Sequence, residues 1–161
     1  MGKGLQNGQD FLQFTRIGYS QEDVNQHYRE TRVRVRYAET DQMGVVYHAN
    51  YLVWMEIGRT EYGKSDGFFY RELEKEGIVM TVVEASVRYA QAARYDDEVL
   101  IRTRVAEASS RMITFAYELL AGERKLATGT TKHLFCALSE DKRELRPSRL
   151  PEKYRGYFGI G

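Results

Sequence analysis

The sequence predicts an α+β fold with an antiparallel sheet, and three observations carry that prediction. Residues 31–37 alternate, with Val33, Val35 and Tyr37 on one side and Arg32, Arg34 and Arg36 on the other, the period of a half-buried strand. From Tyr51 the period becomes helical. Tyr51, Trp54, Met55, Gly58 and Tyr62 share a stripe, with Glu56, Arg59 and Glu61 mostly off it. Beyond Gly77 four more alternating runs follow, so the strands are grouped after the helix rather than interleaved with it.

Taken in order, residues 1–27 are polar and Gly-rich at first, with Phe11, Leu12, Phe14 and Ile17 scattered through, and are expected to be an N-terminal extension. The first strand is expected over Tyr28–Tyr37. Gly44 then marks a bend and Asn50 is the expected helix cap. The helix should end near Lys64–Gly67, and a short second helix over Phe68–Lys75 should stop at Gly77. The strand over Ile78–Ala90 presents Val79, Thr81, Val83, Ala85, Val87 and Tyr89 on one face. Glu98–Ala106 presents Val99, Ile101, Thr103 and Val105, and Arg111–Ala121 presents Ile113, Phe115, Tyr117 and Leu119. Lys125–Leu138 presents Leu126, Thr128, Leu134, Cys136 and Leu138. The linkers 94–97, 108–111 and 121–124 fit hairpins. Such a sheet needs a cover, and the helix over 51–62 is the long element available. Gly58 within it lets a strand come close, at a cost of about 1 kcal/mol against Ala. The charged segment 139–161 holds Pro147 and Pro151 and reads as a short strand and a loose end, which makes 28–140 the domain and 141–161 a C-terminal tail.

Composition narrows the function. A chain of 161 residues is expected to form one domain, and a net charge of +1 argues against bulk attraction to nucleic acid. One cysteine, Cys136, excludes an internal disulfide and reads as an inert core thiol. The first ten residues have no apolar run for a secretion signal, so a cytoplasmic location is expected. No stretch approaches the roughly 18 apolar residues of a membrane span. No P-loop, Rossmann glycine pattern or Gly-x-Ser-x-Gly elbow is present. His27 and His133 have no partner at metal-ligand spacing, and Asp41 with His48 has no third ligand, so no metal is expected.

The chemistry concentrates between strand and helix. The first N–H groups of a helix have no internal partner and carry partial positive charge, so they bind an anion or an oxygen becoming one. Here that end lies one short turn from Asp41, an arrangement suited to acyl transfer with Asp41 as nucleophile or as base for a water.

The stretch Asp41-x-x-Gly44-Val45-Val46-Tyr47-His48-x-Asn50-Tyr51-x-x-Trp54-x-Glu56-x-x-Arg59 resembles the signature of the 4-hydroxybenzoyl-CoA thioesterase-like family, hotdog-fold acyl-CoA thioesterases, and the resemblance extends by strand order over residues 28–140. It implies a curved antiparallel sheet wrapped around one long central helix, and hydrolysis of an acyl-CoA to a carboxylic acid and free CoA. It also implies Asp41 as the catalytic acid and the backbone N–H at His48 as donor to the thioester oxygen. Gly44, Val45, Tyr47, Asn50, Trp54 and Glu56 are then substrate-binding positions, with Tyr47 as wall, Trp54 as core or acyl-pocket lining and Glu56 orienting the loop. CoA phosphates need cations, for which Arg88, Arg94, Arg111 and Lys132 are candidates. The segment 89–97 departs from the family, with alanine and Asp96 where a proline and a glycine are common. No cofactor is implied, since coenzyme A is part of the substrate. A homodimer or homotetramer is implied, and an acyl carrier protein is the alternative carrier. Rival readings are a hotdog hydratase or dehydratase, a non-catalytic acyl-CoA-binding protein and a structural subunit. The first favours a shorter Asp-to-His spacing than the six residues between Asp41 and His48. The second usually adds a DNA-binding segment, which residues 1–27 do not resemble.

Overall fold

The structure, a computed structural model, describes residues 27–161. The expected N-terminal extension therefore lies, but for its last residue, outside the described residues. Strand β1 (Arg29–Arg34) and a 3-10 turn (Tyr37–Glu39) lead to helix α1 (Asn50–Ser65) and the short helix α2 (Tyr70–Lys75). Strands β2 (Ile78–Tyr89), β3 (Glu98–Ala108), β4 (Met112–Ala121), β5 (Arg124–Leu138) and β6 (Leu145–Pro147) follow, then a one-turn helix α3 (Glu152–Arg155). The sheet is antiparallel in the order β1-β3-β4-β5-β2, with β6 added to β5.

Helix α1 packs on β1, β3 and, more lightly, β4. The predicted stripe is its buried face: Tyr51, Trp54, Met55, Gly58 and Tyr62 are all inside. Gly58 meets the sheet at contact, because a Cβ there would stand 2.5 Å from Thr103 Oγ1 and 2.8 Å from Ile101 Cγ2. The predicted faces of β3 and β4 are also the core faces, from Val99 to Val105 and from Ile113 to Leu119.

Four expectations need correcting. Strand β1 stops at Arg34, and Tyr37 turns outward, because the chain bends into the 3-10 turn that buries Glu39 instead. In β2 a bulge at Val83 shifts the register between Val82 and Glu84. One extra residue reverses the face, so the helix side carries Ile78, Met80 and Val82 before the bulge and Ala85, Val87 and Tyr89 after it. In β5 the core face is Gly129, Thr131, His133 and Phe135, the residues opposite Tyr117, Phe115, Ile113 and Met80, and not the Leu134–Cys136–Leu138 set. Polar side chains are tolerated there because Thr131 Oγ1 bonds both Tyr117 Oη (2.7 Å) and His133 Nε2 (2.8 Å). Residues 94–97 do not close a hairpin, since β2 and β3 lie apart in the sheet and residues 90–97 cross its end.

The tail is not loose. β6 pairs with the end of β5, and Leu150 and Phe158 are fully buried, with Phe158 against the ring of Phe68. Lys153 and Tyr154 both donate to Glu76, which ties α3 to the end of α2.

Candidate active site

Asp41 sits on a small closed loop. Its N–H donates to Val45 O (2.9 Å), its carbonyl accepts from Gly44 N (3.0 Å), and its carboxylate Oδ1 accepts from Met43 N (2.8 Å). Gly44 closes the turn at φ +71°, a conformation that favours glycine, and Thr40 bridges to Val46. The carboxylate is half-exposed at the surface and has no cation paired to it among the described residues.

The loop is held by Glu39, a residue the sequence reading passed over. Its side chain is 5% exposed, and its carboxylate accepts from Arg36 N (2.7 Å), Trp54 Nε1 (3.0 Å) and Arg36 Nη2 (3.3 Å). Its backbone carbonyl accepts from Tyr47 N (2.9 Å) and Asn50 Nδ2 (2.9 Å). One residue thus joins the strand end, the return side of the loop and the first two turns of α1. Burial pushes this carboxyl's pKa up, but the hydrogen bonds from Arg36 N–H and Trp54 and the Arg36 cation outweigh it and leave it below the usual value. The readable signal was an acid on the core side of the alternation Val33, Val35, beyond the strand's end.

Asn50 is not the cap but the first helical residue; Ala49 takes the cap position, and the Asn50 amide instead holds the Glu39 carbonyl. At this helix start Asn50 N bonds Tyr47 O, Tyr51 N bonds His48 O and Leu52 N bonds Ala49 O. The N–H groups of His48 and Ala49 have no acceptor among the described residues. They are the donors free to meet an incoming oxygen, next to Asp41's loop. The His48 carbonyl accepts from Tyr89 Oη (2.9 Å), and the His48 ring lies exposed between Tyr47 and Tyr89. Tyr51 packs edge-on to Tyr89 and accepts from Ala93 N (3.1 Å) through its hydroxyl, whose pKa burial raises.

The remaining expected residues divide. Gly44, Val45, Tyr47 and Asn50 surround the loop. Trp54 is in the core and turned toward Glu39, because its indole N–H finds its partner there; it lines no surface. Glu56 is exposed two turns along α1 and pairs with Arg59, so the loop is oriented by Glu39 and not by Glu56. Of the four cations, Arg94 reaches the loop, donating to Gly44 O (3.3 Å). Asp97 fixes that segment by accepting from Arg94 N and Arg124 Nη2. Arg88 and Lys132 lie on the outer face of β2 and β5, and Arg111 lies in the β3–β4 turn, at the opposite end of the sheet. Among the described residues no three His, Cys, Asp or Glu side chains form a metal cluster, and no helix is long and apolar enough to cross a membrane.

Comparisons with known proteins give the family of the chain. The family model of the Thioesterase-like superfamily matches residues 35–156. The chain is 36% identical to YneP of Bacillus subtilis, over 75% of this chain and 86% of that one. It is 33% identical to the acyl-CoA thioesterase YbgC of Haemophilus influenzae, over 78% and 90%. The structure of the DHNA-CoA thioesterase from Staphylococcus aureus superposes with a TM-score of 0.74 at 32% identity, covering 81% of this chain and 88% of that one. The six-stranded curved sheet is therefore that of a hotdog protein, and the chain belongs to the Thioesterase-like superfamily.

Proposed function

We propose that this protein hydrolyses acyl-CoA thioesters. The observation that carries the reading is the loop itself: a half-exposed carboxylate, Asp41, tied through Glu39 to a helix start whose His48 and Ala49 N–H groups have no acceptor among the described residues. The thioester oxygen binds those N–H groups, which polarise the carbonyl and hold the oxyanion as it forms. Asp41 supplies the attack, either adding to the carbonyl to form an anhydride that water then cleaves, or taking a proton from the attacking water. The thiolate leaves and is protonated to free CoA. The YbgC relative and the S. aureus protein, both named as thioesterases of acyl-CoA thioesters, support this choice over a hydratase or a silent binding protein.

The site works between two copies. The open edge of β2 carries Val82 and Val83, 48% and 51% exposed, whereas the other open edge, β1, carries Arg32 and Arg34 paired to Glu98. An apolar edge invites pairing and a charged one resists it. A homodimer joined along β2 follows, and a tetramer of two such dimers extends it. The location is cytoplasmic, and an acyl carrier protein is the second carrier to test. Gly44, Val45, Tyr47 and Asn50 frame the thioester and Arg94 is the cation nearest the loop for CoA.

The test is thiol release from aryl, short, medium and long acyl-CoAs by wild type and Asp41→Asn. Release from one class that is lost in the variant is expected. Near-wild-type turnover by Asp41→Asn overturns the role of Asp41, and silence toward every CoA thioester overturns the activity.

A further inference from the structure

A cavity of about 220 Å³ lies where α1, α2 and the start of β2 meet, with Glu56, Arg59, Tyr70, Leu73, Met80 and the exposed Glu74 among its walls. It is smaller than the ~300–1,000 Å³ of a site that takes a whole small molecule, and it suits one end of a longer one. The cation in it is poorly matched. The Arg59 side chain is only 15% exposed, while its partner Glu56 stands 3.9 Å away and is 65% exposed. A pair that loose and that wet compensates little of the cost of burying a guanidinium. Arg59 also hydrogen-bonds the Tyr117 hydroxyl, and its charge acts on Tyr70 and His133 as well. Burial raises both hydroxyls, that of Tyr117 to about 12, and burial, then Arg59, lowers His133 to about 4, so all three are neutral near pH 7. His133 is fully buried on the helix side of β5, and its Nδ1 has no partner among the described residues. Around Arg59 the fold thus assembles hydrogen-bonding groups and a positive charge, with no buried acid paired to the cation among the described residues.

Exposed apolar side chains lie along part of the helix between its start and this cavity. Arg59 lies nine positions after Asn50, about 14 Å along the helix. Leu52 and Val53, both exposed, lie between. We propose that the far end of the acyl group reaches this cavity, and that Arg59 there selects acyl groups ending in a carboxylate. The selection rests on the thioesterase reading above. A carboxylate entering the cavity displaces the loose Glu56 contact and meets the guanidinium directly, a charge-assisted and potentially bidentate pair that Glu56 does not form at 3.9 Å.

The experiment compares matched thioesters: adipyl-CoA with hexanoyl-CoA, suberyl-CoA with octanoyl-CoA and sebacyl-CoA with decanoyl-CoA, for wild type, Arg59→Met and Arg59→Lys. The readout is the ratio of kcat/KM for the diacid over the monoacid, so a general loss of activity cancels. At the best length the wild-type ratio is expected to be about tenfold or more, the size of one charge-assisted hydrogen bond. It should fall to about one in Arg59→Met and be partly kept in Arg59→Lys. A wild-type ratio of one or less at every length, or an unchanged ratio in Arg59→Met, overturns the proposal. Should Arg59→Met show no cooperative thermal transition, inhibition of wild type by free sebacate against free decanoate decides, and equal inhibition overturns it. Hydrolysis of the monoacid esters with no preference removes this subsite alone. Hydrolysis of no CoA thioester removes the thioesterase reading and the subsite with it.

Discussion

Glu39→Gln is the most informative perturbation of the loop. The carboxylate accepts three donors, two at Oε1 and one at Oε2. A glutamine keeps the shape but turns one acceptor into an NH2 group, so either Arg36 N–H or the Trp54 indole N–H then faces a donor inside the core. Losing a hydrogen bond to a charged group and stranding a buried donor together cost about 2–3 kcal/mol. For a chain of this size that lowers Tm by roughly 5–10 °C. The pH dependence gives a second, independent readout. The folded pKa of Glu39 is below its unfolded value, so its stabilisation is fully present above the unfolded pKa and is lost as pH falls through the folded one. Wild type should therefore lose more stability between neutral pH and the acid range below the ordinary glutamate pKa than the variant does. Thermal unfolding by circular dichroism at both ends of that range measures this, and Trp54→Phe combined with Glu39→Gln should destabilise less than the sum of the two single changes. A Glu39→Gln protein with wild-type Tm, or strict additivity with Trp54→Phe, refutes the role given to this carboxylate.

Two other outcomes follow from the same geometry. His48→Ala should reduce kcat/KM by less than about tenfold, because the backbone donor stays, whereas losing an oxyanion donor costs ~10²–10³-fold; a loss of that larger size would assign the chemistry to the imidazole. Gly58→Ala gains about 1 kcal/mol in helix propensity. It also drives a methyl to 2.5 Å from Thr103 Oγ1 and 2.8 Å from Ile101 Cγ2, an overpacking that costs ~1–3 kcal/mol. A net fall in Tm is expected, and a rise would show that the helix can lift off the sheet.

The sequence was most legible where burial alternates without interruption. The stripe of α1 and the faces of β3 and β4 are such places, because apart from Gly58 the inward positions there are large apolar or β-branched residues. It misled wherever long-range pairing decides. The inward Thr131 and His133 look like surface residues until the neighbouring strand brings Tyr117 to bond Thr131, which in turn bonds His133, and the bulge at Val83 is invisible without its partner strand. Residues 94–97 carry turn chemistry, but the strands they join are not neighbours. Leu150 and Phe158 are isolated in a charged segment, and the distant Phe68 and Phe115 give Phe158 its place in the core. At the site, Asp41, Gly44 and His48 stood out in a dense motif. Glu39 did not, because its importance lies in five hydrogen bonds to residues up to fifteen positions away.

Helix α1 touches the sheet through two glycines, its own Gly58 under Thr103 and Ile101, and Gly129 of β5 under the Met55 methyl. Two such contacts, to different strands of the sheet, act like the pins of a fixed rail. The backbone can neither slide nor rise without opening a void or a clash. The span from the free N–H groups at His48 to the cavity at Arg59 is then a constant length, whatever ligand is bound. Changes of acyl preference among relatives built on the same rail must come from the size and charge of side chains set along it, so substrate range can diverge by single substitutions while the catalytic end stays untouched.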